Sequence, residues 1–216
     1  VSCALLHRLG AQDLRTAAMK PVASGCETTK DGLRNADALA LQQAATIKIT
    51  YSDINPYTFE PPIAPHVAAE QAGITIDLAH IKRIAARLAA ESDSLIVEGV
   101  GGVLAPLSGG ENPLDVVDLA KTLDLPVILV VGLKLGCLNH ALLSAEVLRA
   151  RGLALAGWVG SEPAPGMLAR EENIATLKAR IAAPCLGIVP FLAAPTAEQA
   201  ASFISLNLDG FPPSRE

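Results

Sequence analysis

Ser94-Leu95-Ile96-Val97-Glu98-Gly99-Val100-Gly101-Gly102 is an apolar run that stops at one carboxylate and is followed by three glycines within four positions. Leu, Ile and Val in succession suit a strand covered on both faces, as in a parallel sheet. Ligands of open α/β sheets gather outside the carboxyl ends of the strands, so Glu98 is expected at a crevice. The glycines after it remove side chains where a phosphate or a substrate must approach the backbone. On this stretch alone, a strand followed by a glycine turn with a solvated glutamate stands equally.

Working outward, Lys20-Pro21-Val22-Ala23-Ser24-Gly25 follows the β-like run Leu14 to Met19 and again puts a charge at a strand's end. Pro21 opposes helical continuation and biases Lys20 toward an extended backbone. Such a lysine is a fixed cation. Beside Glu98 at a neighbouring strand end, it would form a site for a metal cation and phosphoryl oxygens. A surface lysine before a turn is the commoner meaning of any single Lys-Pro pair, but two charged strand ends in one short chain shift the balance.

The remaining segments extend this pattern. Further strands are expected at Pro126 to Val131, Leu153 to Val159 and Pro184 to Val189, and helices at Val1 to Gly10, Asn35 to Ala45, Asp77 to Ala90 and Leu138 to Arg149. Leu78, Ile81, Ile84 and Leu88 recur at helical spacing, Gly152 marks a helix stop, and Asn35 or Asp37 opens the second helix. Alternating strands and helices predict an α/β fold, a doubly wound, mostly parallel sheet. Asn55 to Pro65, with its prolines, Tyr57 and Phe59, is expected as a structured loop. The whole chain, 1–216, is expected as one domain, with 208–216 a loose tail.

Composition excludes several function classes. The net charge of −5 and the absence of any long basic run argue against nucleic acid or an anionic membrane surface as partner. No uninterrupted apolar stretch reaches the roughly 18 residues of a membrane span. Cys3, Cys26, Cys137 and Cys185 stand apart without a C-x-x-C pair, which fits free thiols in a reducing compartment and a cytoplasmic protein. His7, His66, His80 and His140 lack metal-ligand spacing.

Six motifs in order carry a more specific likeness: KPVASG at 20–25, LRNADALAL at 33–41, NPYTF at 55–59, VEGVGG at 97–102, PVILVVGLKLGCLNHALL at 126–143 and LAGWV at 155–159. Together they resemble the dethiobiotin synthetase family, P-loop NTPase-type enzymes that use ATP to close the ureido ring in biotin synthesis. The likeness runs from residue 1 to about Asn207. It implies that the family's first strand and its Walker A loop, G-x-x-x-x-G-K-T, precede Val1, so that the chain opens inside the P-loop helix. Without that loop no activity is expected.

The resemblance implies substrates and roles. The reaction joins CO2 to 7,8-diaminononanoate with ATP, through a carbamate and a carbamic–phosphoric anhydride, giving dethiobiotin, ADP and phosphate. Lys20 matches the family's lysine between carbamate and γ-phosphate, and Ser24 a hydroxyl on the substrate's amine or carbamate. Asp37 and Glu98 match the nucleotide-side carboxylates that hold Mg²⁺; a first-turn carboxylate favoured by the helix dipole is the alternative for Asp37. Gly101 and Gly102 match positions of close substrate approach. Gly136, Cys137, Leu138 and Asn139 match a helix start whose amides receive the substrate carboxylate across a homodimer interface, although an ordinary helix N-terminus fits equally. Ser161 stands near where many members carry an adenine-reading asparagine, Asn173 near a tyrosine used by some, and Pro190, Phe191 and Leu192 match the loop flanking adenine. Other P-loop amide ligases and ParA/MinD-like ATPase switches are the competing readings. The former carry a glutaminase region for which no room follows Ile188, and the latter need a membrane- or DNA-binding tail that is not evident.

Overall fold

A computed structural model describes residues 1–206; the tail expected at 208–216 lies outside them. These residues group into two compact units. One comprises Leu9–Asp124 with Ser2, the other the chain from Leu125 with Val1 and Cys3–Arg8.

Helix α1 (Ser2–Gly10) opens the chain. The first unit continues with β1 (Thr16–Met19), β2 (Val22–Ala23), β3 (Glu27–Thr29), β4 (Gly32–Arg34), α2 (Ala36–Ala44), α3 (Tyr51–Ile54), β5 (Tyr57–Thr58), α4 (Pro65–Gln71), α5 (Leu78–Ala90), β6 (Ser94–Val97) and α6 (Val116–Leu123). Strand β1 pairs in parallel with β6, β2 in parallel with β5, and β3 with β4 as an antiparallel hairpin. Every residue of β1 is buried, and its small Ala17 and Ala18 leave room for helices to pack closely. Helix α5 turns Ile81, Ile84, Ala85 and Leu88 inward, the stripe that its spacing predicts, onto a core with Met19, Leu107 and Leu119. Each such Leu or Ile contributes roughly 1.5–3 kcal/mol relative to an exposed position.

The second unit holds β7 (Val127–Gly132), α7 (Cys137–Ala150), β8 (Leu155–Ser161), α8 (Arg170–Arg180), β9 (Cys185–Val189) and α9 (Ala197–Ala201). Its strands form one parallel sheet in the order β7-β8-β9. Trp158, fully buried on β8, packs among Val131, Leu133, Ile174 and Leu177. Gly160 permits this packing, because a Cβ there would approach Ile188 Cδ1 to 2.6 Å.

All five expected strands and all four expected helices are present, with ends shifted by up to two residues. The loop expected over Asn55 to Pro65 is a correction: Tyr57–Thr58 is a strand registered against Val22–Ala23. Two residues are too few to show a period of two, so the partner rather than the pattern makes it a strand. The β3–β4 hairpin also went unpredicted, although Asp31-Gly32, with Gly32 at φ +96°, is a turn signal. Among the described residues no helix is long and apolar enough to cross a membrane.

Candidate active site

The parallel register of β1 and β6 sets Met19 opposite Val97, and the Glu98 N–H donates to Met19 O at 2.8 Å, which extends the pairing by one residue. The chain therefore releases Lys20 and Glu98 side by side at the carboxyl ends of adjacent strands, as expected from their two segments. Lys20 Nζ lies 2.9 Å from Glu98 Oε1 and 3.3 Å from Asp37 Oδ2, and donates to Gly99 O at 3.4 Å. Lys20 is only 6% exposed. An ammonium this buried requires charged partners, and it has two.

Burial by itself would push the Glu98 carboxyl up. Hydrogen bonds from the Ser2 hydroxyl and from Lys20, with the Lys20 charge, outweigh it and hold the group below the ordinary glutamate range. Glu98 is thus a stable anion at neutral pH. Asp37 stands in the first turn of α2, whose cap is Asn35: the Asn35 side chain accepts from the N–H groups of Asp37 at 3.1 Å and Ala38 at 3.2 Å. The carboxylate keeps the helix-terminal position of the simpler reading and also faces Lys20, its side chain 64% exposed.

The other residues expected around this lysine fall as follows. Ser24 follows β2, and its buried Oγ has no hydrogen-bond partner among the described residues. Gly101 adopts φ +70°, and a Cβ there would come within 3.0 Å of Ala105 Cβ. Gly102 has open space where its Cβ would be. Among the described residues no three His, Cys, Asp or Glu side chains gather to hold a metal. Asp37 and Glu98, which already converge on one cation, offer two hard oxygen donors. That suits an ion such as Mg²⁺, which completes its sphere with water and substrate phosphate.

In the second unit, Ser161 ends β8 in register with Val189, the last residue of β9, so Ser161 and the loop Pro190-Phe191-Leu192 share one sheet edge. Phe191 is 42% exposed. Gly136, at φ +92°, precedes α7 and offers no side-chain cap to its first amides. Cys137 is buried and its N–H donates to Lys134 O at 2.9 Å; Leu138 and Asn139 follow it in the first turn of α7. Asn173 donates from Nδ2 to Ala169 O at 2.7 Å within its own helix.

Sequence reading missed Ser2, Tyr51 and Asn55. The N-P-Y run at 55–57 was visible as a motif, but a buried asparagine has no pattern that announces its partners.

Comparison with known proteins bears on the family and the fold. A family model described as an AAA domain matches residues 1–199. The ATP-dependent dethiobiotin synthetase BioD of Pseudomonas paraeruginosa is 52% identical over 194 residues, covering 89% of this chain and 84% of that protein. Those of Pseudomonas aeruginosa and Chromohalobacter salexigens are each 49% identical, covering 95% of this chain and 90% and 91% of theirs. Among solved structures, the MinC:MinD cell division complex of Aquifex aeolicus aligns with a TM-score of 0.52 at 14% identity over 93% of this chain and 79% of that chain. The signal recognition particle 54 kDa protein of Aeropyrum pernix in complex with GDP aligns at 0.51 and 15%, over 92% of this chain and 39% of that one. At these identities the structural likeness establishes the fold alone, an α/β fold of the P-loop NTPase type.

Proposed function

This chain belongs to the family of ATP-dependent dethiobiotin synthetases, and we propose that its Lys20–Asp37–Glu98 cluster is where the γ-phosphoryl group of ATP is transferred during ring closure of 7,8-diaminononanoate with CO2. The observation that carries this reading is the buried Lys20 ammonium held between two carboxylates at adjacent strand ends.

A substrate amine takes up CO2 as a carbamate and releases a proton. A carbamate oxygen then attacks the γ-phosphorus as the bond to the ADP oxygen breaks. The second amine adds to the carbonyl carbon of the resulting anhydride and gives up a proton, and phosphate leaves. The protein has little covalent work here; its part is to position the reactants and to neutralise charge. Lys20 stabilises negative charge that grows on the transferring group. Asp37 and Glu98 would hold Mg²⁺, which supplies further neutralisation of phosphate oxygens. The unpartnered Ser24 hydroxyl receives the substrate's amine or carbamate, and Gly101 with Gly102 lets the substrate approach the backbone. The amides that open α7 after Gly136 receive the distal carboxylate, in a homodimer. Ser161, Pro190, Phe191 and Leu192 flank the adenine.

The test is to incubate the full-length protein with ATP, Mg²⁺, bicarbonate and 7,8-diaminononanoate, and to follow ADP release beside dethiobiotin by mass spectrometry. Equimolar ADP and dethiobiotin, both dependent on the diamine, are expected. ATP hydrolysis indifferent to the diamine would overturn the reading in favour of an ATPase switch.

A further inference from the structure

Three expected site residues, Lys20, Asp37 and Ser24, are joined through their backbones by a buried polar chain that no motif assigned. Asn55, 3% exposed, donates from Nδ2 to Lys20 O at 2.7 Å and to Tyr57 O at 3.2 Å. The Lys20 N–H donates to Ile54 O at 2.7 Å, so residues 54 and 55 grip the Lys20 peptide from both sides. The Asn55 Oδ1 accepts from the Tyr51 hydroxyl at 3.1 Å. That hydroxyl in turn accepts from the Asn35 N–H at 2.7 Å. Asn35 caps the helix bearing Asp37, and its Nδ2 donates to Ser24 O at 3.5 Å. The Arg34 guanidinium lies 4.1 Å from the Tyr51 ring centroid and holds the ring in place.

At the centre of this chain, Asn55 and Tyr51, donors and acceptors match. Asn55 uses both amide hydrogens and its oxygen, and Tyr51 donates once and accepts once. A satisfied buried network of this kind fixes geometry, and a half-satisfied one does not. We propose that Tyr51 and Asn55 are positioning residues that set Lys20 against Asp37, with the Tyr51 hydroxyl joining the Asn55 end of the chain to the Asn35 end. Their effect is therefore expected chiefly on turnover, through Lys20. The inference rests on the reading of Lys20 given above.

Tyr51→Phe keeps the ring under Arg34 and removes only the hydroxyl. The expected result in the full-length enzyme is a fall in kcat of about tenfold with KM for ATP within about twofold, since a misplacement of about 1 Å costs as much as 10²-fold. Asn55→Asp, which puts an acceptor against Lys20 O, is expected to fall further. The deciding measurement is the double variant: in a Lys20→Gln background, Tyr51→Phe is expected to lower kcat no further, because a positioning residue has no effect once the group it positions is gone. An equal further fall would mean a general structural role and overturn the proposal. So would wild-type turnover in Tyr51→Phe, which tests the chain even where Asn55→Asp fails to fold. Wild-type turnover in Lys20→Gln alone would instead overturn the assignment of Lys20, and the proposal with it.

Discussion

The two units present their site residues in opposite ways. In the first, the charged groups are in direct contact: Lys20, 6% exposed, bridges Glu98 and the more exposed Asp37. In the second they are backbone amides and apolar side chains at open edges, with Phe191 42% exposed and Leu135, one residue before Gly136, 98% exposed. Charge that develops on a reacting group calls for fixed ions in a water-poor setting, whereas a neutral base or a spectator carboxylate is met by faces and amides. On the proposed reading, phosphoryl transfer belongs to the charged cluster of the first unit and nucleotide recognition to the exposed loop of the second. Substitution of Lys20 should therefore act on kcat, and substitution of Phe191 on KM.

The largest effect expected is at Lys20. If Lys20 stabilises charge that appears only during phosphoryl transfer, Lys20→Gln should lower turnover about 10²–10³-fold, or roughly 3–4 kcal/mol, with ATP affinity little changed. Glu98→Gln separates two roles within the same pair. If Glu98 holds the metal, part of its defect should be recovered at high Mg²⁺, whereas the Lys20→Gln defect should not respond. Steady-state kinetics of both variants across a magnesium titration decide the matter. Full magnesium rescue of Lys20→Gln would remove the lysine from the chemistry and erase the contrast between the units.

The same contrast explains what could be read from the sequence. Lys20 and Glu98 were legible because each ends an apolar run just before a proline or a glycine, and a parallel sheet forces such ends together. Strand β6 was placed to the residue, and α5, which Asp77 caps, was announced by its stripe. Helix α6 was missed although Asp115 and Asp118 form a reciprocal cap, because its eight residues give barely two turns of pattern. The hydrogen-bonded chain through Asn35, Tyr51 and Asn55 was not legible at all. Its links span 11 to 35 positions of sequence wherever they leave a local turn, and a side-chain amide that bonds a distant carbonyl leaves no periodic trace.

A smaller effect is expected in the second unit. Phe191→Ala should raise KM for ATP by about 3- to 10-fold, in line with the roughly 0.5–1.5 kcal/mol of an aromatic contact, and leave kcat within about twofold. Competition between ATP and GTP in the same assay shows whether the lost contact was specific to the base. A fall in kcat without a change in KM would break the division between the units, since it would place a chemical role on an exposed phenyl ring.

The smallest effect is on stability, and it returns to the first unit. Glu98 is held below the ordinary glutamate range in the fold, so it binds a proton less readily there than in the unfolded chain. The unfolded state takes up the proton first as acid is added, which favours unfolding. The stabilisation is therefore fully present above the unfolded glutamate value, about pH 4.3, and is lost as the pH falls through the lower folded value. With Glu98 partly exposed and Asp37 still beside Lys20, the amount is on the order of 1 kcal/mol. Urea unfolding from pH 7 down to pH 3 should show Glu98→Gln losing less stability over the acid range than the parent protein. Parallel curves for the two proteins would mean that the Lys20–Glu98 contact adds nothing to the fold and serves only the site.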